Sequence, residues 1–270
     1  MIKMPPSNQE ITLSLHPRLG VSTWSLHQSL SGGTPLLDIP AQVAVHGLSK
    51  LEVCHFHFPS TDTEYLTCFR TAIADSGVEF YTLLIDEGDL THPDPAERQK
   101  SIVSLCHWID VARECGAARV RVSAGNAAPT PETLQRSVIG LEEVCRYAKS
   151  VGIGIVTENW HALLDRPAEV LSLLESLHGE LGLKMDFGNW GGARKYDDLA
   201  KIAPLAVCTH AKAAFADSGE MDEADFARCL AICQTAGFTG PHILIFSDPG
   251  DEWASLDLLR DFILSTLATK

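Results

Sequence analysis

Glu158 in GIGIVTENWH, Asp186 in GLKMDFGNW and His210 in AVCTHAKA each close a short apolar run, and helix-length stretches separate the three runs. Two carboxylates and an imidazole brought to one point make a divalent-metal site, since such a site is built from oxygen and nitrogen donors of this kind. A buried carboxylate there calls for a metal or a charged partner, so Glu158 reads as a candidate ligand. The competing reading is a salt bridge at the rim of a sheet, with Arg121 as its partner. Lys212 shares a strand face with His210 by the two-residue period. It could bind a phosphate or carboxylate or polarise a carbonyl, or it could simply pair with Asp186 or Asp217.

The elements that must place these residues alternate along the whole chain. Strand-like runs fall at 19–25, 50–56, 78–85, 119–124, 153–158, 182–187, 206–211 and 241–246. Helical patterns lie between them and after the last. Asp94-Pro95 and Thr130-Pro131 put a capping residue ahead of proline at a first helical position. Gly77, Gly116, Gly152 and Gly237 stand where helices should end. Strand–helix units of about thirty residues without a break in composition suggest an α/β fold: one closed (β/α)8 TIM barrel in a single domain. A doubly wound open sheet would want a glycine-rich phosphate turn after the first strand, and GVSTWSLHQSLSGGTP has no GxGxxG. The expected division is an N-terminal extension over residues 1–16 and a barrel over 17–270.

In such a barrel the C-terminal strand ends share one pocket. That makes Arg121 a candidate anion clamp, with barrel-filling ion pairing as its alternative. Glu52 on the second strand carries the same two readings. His55 and His57 follow it in CHFHFPS, where their roles depend on the bend of the loop. Trp24, Trp160 and Trp190 follow strand ends and would wall the pocket or pack in the core. Asn159, His161 and Asn189 are placed to orient ligand hydroxyls.

The bulk composition narrows the partners. The 270 residues, 45% hydrophobic and 21% charged, are those of an ordinary globular chain. A net charge of -14 argues against a nucleic-acid partner, whose phosphates need Lys and Arg. No stretch approaches the ~18 apolar residues that a membrane span needs, and the N-terminal residues lack a leader's apolar core. The eight cysteines form no CxxC pair. Free thiols then behave as small hydrophobes, and a reducing cytoplasmic setting is expected. A homodimer is left open.

These residues resemble the xylose isomerase-like barrel superfamily, the sugar phosphate isomerase and epimerase group that includes some dehydratases and AP endonucleases. TENWH around Glu158, LKMDFGNW around Asp186, THAK around His210 and the closing GFTGPHILIFSDPGDEW carry the likeness, with the EV of LEV on the second strand. The resemblance implies a divalent metal held by Glu, Asp, His and a final Glu, and a small-molecule sugar or polyol as substrate. Counted from Gly237 and Gly240, or back from GDEW, that final Glu falls on Ile245. An aliphatic side chain cannot bind metal. Three outcomes are open: a weaker three-ligand site, replacement by Asp248, Asp251 or Glu252, or loss of metal. The implied activity is a metal-assisted isomerase or epimerase, with Mn, Mg, Zn or Co as the metal and Glu158 or a metal-bound water taking the proton next to a carbonyl. The alternatives are a dehydratase of a cyclic hydroxy-keto acid, which needs a single base, or a non-catalytic binding barrel. Two neighbouring carboxylates without metal would be expected to raise the pKa of one of them.

Overall fold

The computed structural model describes residues 14–216 and 218–268. Eight parallel strands close on themselves in sequence order: β1 (His16–Ser22), β2 (Leu48–Cys54), β3 (Glu79–Leu84), β4 (Arg119–Arg121), β5 (Gly154–Glu158), β6 (Gly182–Asp186), β7 (Ala206–Lys212) and β8 (His242–Ile245). β1 pairs with β8 to complete the ring. The expected barrel is the observed one.

β1 begins at His16, where the expected extension ended; its N–H donates to Gly47 O at 2.9 Å. The rest of that stretch, apart from Ser14 and Leu15, lies outside the described residues, as does Asp217. After Ser22 the chain turns into a short 3-10 helix, Thr23–Leu26, rather than continuing as strand, because Ser22 Oγ accepts the Trp24 N–H.

The helix starts follow their sequence signals. Asp94 accepts from Ala96 N with Pro95 at the first position, and Thr130 forms a reciprocal cap with Thr133. Gly77 and Gly116 end their helices at φ 71° and 78°, a backbone region that costs glycine nothing.

Residues that alternate outward along the strands, such as Leu51, Val53, Leu183, Met185 and Phe187, are buried against the helix layer. The inward residues are different in kind. Toward the bottom, Tyr81 packs with Cys208 and Ile243 and receives the Arg119 guanidinium 4.2 Å from its ring centre. Gly20 is required there, since a Cβ on it would come within 2.7 Å of Lys50 Cβ. Above that level the barrel interior becomes ionic. No helix among the described residues is long and apolar enough to cross a membrane, and all eight cysteines are free.

Candidate metal centre and pocket

β5, β6 and β7 end side by side, and register pairs Asp186 with His210. Glu158, Asp186 and His210 all turn inward and are buried. His210 Nδ1 lies 3.4 Å from Glu158 Oε1 and 3.5 Å from Asp186 Oδ2. One donor atom from each of the three falls within 4.8 Å of the others. Metal–ligand bonds of about 2.0–2.2 Å place neighbouring donors at about such separations. Glu158 Oε2 is buried without a hydrogen bond. Asp186 keeps Oδ2 toward the site because Oδ1 accepts the N–H groups of Gly188 at 2.6 Å and Asn189 at 2.8 Å. The donor set, with a carboxylate oxygen that accepts no hydrogen bond and has only the Arg121 guanidinium 3.3 Å away, fits a divalent cation. Ile245 lines the same cavity and brings no donor.

His210 is aimed from below. Its Nε2 lies 2.8 Å from Glu52 Oε2 and 3.1 Å from Lys184 Nζ, and Lys184 also pairs with both oxygens of Glu52. Glu52 and Lys184 are both 0% exposed. Burial works against ionisation of Glu52, but Lys184 and His210 outweigh it and hold the carboxyl at about 2. Burial and Lys184 likewise oppose a charge on His210. The carboxylates of Glu158 and Asp186 prevail and push it up to about 10. Despite its burial, Glu158 is held well below the ordinary carboxylate range by His210 and Arg121. The expected raised carboxyl pKa is therefore corrected for Glu158: two cationic side chains reach it before a metal does.

Arg121 lines the cavity as an ion-pairing residue. Its Nη1 donates to Asp86 Oδ1 at 2.5 Å and Ile85 O at 3.2 Å, while its Nε stands 3.3 Å from Glu158 Oε2. Trp160 lies over it, 5.0 Å from guanidinium carbon to ring centre. Lys212 lines the cavity opposite Ile245 in register and has no ion-pair partner among the described residues. Asn189 also lines it, and its Nδ2 donates to Glu158 Oε1 at 2.8 Å. Trp24 and Trp160 form its aromatic wall.

Other candidates sit elsewhere. Glu52 supports His210 from beneath and does not line the cavity. Trp190 belongs to the hydrophobic core, its Nε1 bonded to Leu164 O at 3.0 Å, because Gly188 and Asn189 turn the chain back toward the helices. Asn159 is buried and ties β5 to the Asp186 backbone at 2.7 and 3.1 Å, leaving no amide for a ligand. His55 packs edge-on against Trp108 and is 3.5 Å from Glu87. His57 bonds Thr23 Oγ1 at 2.8 Å. Neither histidine lines the cavity, since residues 55–57 wind into a 3-10 turn. His161, at φ 59°, stacks on Trp160 at 3.7 Å and backs that wall rather than facing the cavity. Glu252 does not replace the missing ligand: its carboxylate accepts the N–H groups of Gln28 and Ser29 and the Ser29 hydroxyl. Asp251 accepts the Ala254 N–H, and Asp248 lines a second cavity.

Two residues were missed in the sequence. Lys184 was legible by its two-residue spacing from Asp186. Asp86 carries the same signature as Glu158, an acid at the end of an apolar run.

The sequence profile of xylose isomerase-like TIM barrels matches residues 40–261. No curated protein matches the chain. Among solved structures, an L-ribulose 3-epimerase is 21% identical over 94% of this chain and 95% of its own, with a TM-score of 0.74. A D-allulose 3-epimerase from Methylomonas sp. is 17% identical over 94% and 99%, at 0.71. A xylose isomerase-like TIM barrel protein from Mycobacterium smegmatis, in complex with magnesium, is 18% identical over 86% and 88%, at 0.66. At these identities the likeness carries the fold, while the sequence profile spans most of the barrel. The chain belongs to the xylose isomerase-like TIM barrel family.

Proposed function

We propose that the protein is a metal-assisted isomerase or epimerase of a sugar, sugar phosphate or related polyol, working by proton abstraction next to a carbonyl. The observation that carries this reading is the convergence of Glu158, Asp186 and His210 on one buried point, where Glu158 Oε2 accepts no hydrogen bond. The likeness in fold to an L-ribulose 3-epimerase and a D-allulose 3-epimerase supports it.

Glu158, Asp186 and His210 would hold the cation. When bound, it supplies Lewis-acid polarisation of a carbonyl and adjacent hydroxyl. Glu158 is ionised and faces the cavity, so its carboxylate takes the proton from the carbon next to that carbonyl. Asn189 steadies the Glu158 Oε1 position. Lys212, facing the cavity without an ion pair among the described residues, binds or polarises a substrate oxygen. Trp24 and Trp160 close the apolar side against water.

Ile245 favours a second reading. With Ile245 on β8, no carboxylate faces Glu158 from that strand, and dehydration of a cyclic hydroxy-keto acid needs one base rather than two. Arg121 and Lys212 would face its carboxylate.

The test is elemental analysis of protein dialysed against Mn, Co or Zn, followed by assay on a panel of free keto sugars and cyclic keto acids. Turnover of a keto sugar with metal supports the first reading, and turnover of a cyclic acid alone supports the second. A metal-free protein inert on both would reject each of them and leave a binding barrel.

A further inference from the structure

A second cavity of about 390 Å³ lies beside the first, which holds about 200 Å³, and the Trp24 indole lines both. The first is small beside the ~300–1,000 Å³ usual for ligand sites, so it accommodates little more than a compact hydroxylated group. The two differ in chemistry. Asp86, Arg121, Glu158, Asp186, His210 and Lys212 line the first. The rings of Trp24, Phe56 and Phe246 dominate the second.

Polar groups in this annex are partly committed to the fold. Ser25 Oγ donates to Leu244 O and accepts the Phe246 N–H, and Glu252 caps the helix at Gln28 and Ser29. No Lys or Arg lines it; its acids are Asp248 and Glu252, set against the imidazole of His27. Two carboxylates against one imidazole disfavour a phosphate or carboxylate. Trp24 and Phe56, edge to face with centroids 6.4 Å apart, each remain 47% exposed, a large aromatic surface with little packed on it.

We infer that the annex binds an uncharged apolar group, aryl or alkyl, joined to the hydroxylated part of the substrate that occupies the metal pocket. The substrate is then a glycoside-like conjugate whose sugar ring keeps a keto group for the proton abstraction, rather than a free or phosphorylated sugar. This rests on the sugar-directed reading above and narrows its substrate class.

The test compares methyl and phenyl glycosides of a panel of hexoses and pentoses by titration calorimetry on the full chain, with free keto sugars assayed in parallel. For at least one sugar the phenyl glycoside should bind tenfold or more tightly than its methyl counterpart. In Phe56→Ala and Phe246→Ala that advantage should fall below threefold, with methyl glycoside binding unchanged. Phe56 is half exposed, so its removal leaves the fold intact. Equal binding of phenyl and methyl forms for every sugar, absence of binding by either, or an aryl advantage that survives both substitutions overturns the inference. Turnover of free keto sugars alongside any of those results leaves the epimerase reading standing. An aryl advantage without turnover of any sugar supports the annex while counting against epimerisation.

Discussion

His210 Nε2 lies 2.8 Å from Glu52 Oε2, and this single contact decides which ring nitrogen faces the cavity. With Nε2 engaged below, Nδ1 is turned toward Glu158 and Asp186. Carboxylates behind a metal-binding histidine fix its tautomer and orientation, and their loss typically costs about 10–100-fold in metal affinity.

The Glu52–Lys184 pair beneath it makes the first prediction. Lys184→Met leaves Glu52 ionised and buried without its main partner, at a cost of about 3–5 kcal/mol in stability. The double variant Glu52→Gln/Lys184→Met removes both charges and should recover most of that loss, yet still bind Mn more weakly by about 10–100-fold. Urea unfolding and calorimetry read the two effects separately. Unchanged Mn affinity in the double variant would show that Glu52 does not orient His210.

Ile245→Glu should strengthen binding of Mn, Co or Zn by about tenfold or more, since it adds a fourth donor to a cluster that has three. Calorimetric titrations of wild type and variant with all three metals check it. Equal affinities across the series would mean that position 245 does not reach the cation.

Glu158→Gln should lower kcat by about 10²–10⁴-fold even at saturating metal, because it removes the base and a ligand together. His210→Ala should instead recover part of its activity as metal is raised, as loss of a ligand acts on affinity first. Lys212→Met should raise KM more than it lowers kcat. Full activity of Glu158→Gln on the substrate found in the panel assay would reject its assignment as base.

His242 gives a pH dependence far from the pocket. It is buried, with Nδ1 2.8 Å from Thr209 Oγ1, and burial together with Arg18 pushes it down to about 3 from an ordinary 6.5. The unfolded chain therefore takes up the proton first as pH falls. The contribution to stability is complete above 6.5 and is lost as pH drops toward about 3. The slope is about 1.4 kcal/mol per pH unit for one such group. Urea unfolding between pH 7 and about 4 should show this fall, and His242→Gln should flatten it. An identical slope in the variant would place the titration elsewhere.

The sequence by itself indicated the barrel and the three side chains that meet at its C-terminal face. Alternating apolar runs and capped helices repeat often enough to force ring closure, and acids or imidazole at strand ends must share its C-terminal face. The family resemblance, anchored on the flanking glycines, put Ile245 where the final Glu would stand, and Ile245 does line the pocket. What the sequence left open was which side chains reach the cavity and which serve its frame. Asn159 and Asn189 lie near the same strand ends, yet one holds a neighbouring backbone and the other bonds Glu158. Trp160 and Trp190 divide between pocket and core in the same way. A long-range case is Lys184, which meets Glu52 from 132 residues away. Period-two alternation says only that both point inward; closure of the ring is what sets β2 and β6 facing each other across a dry interior, where neither charge can remain alone.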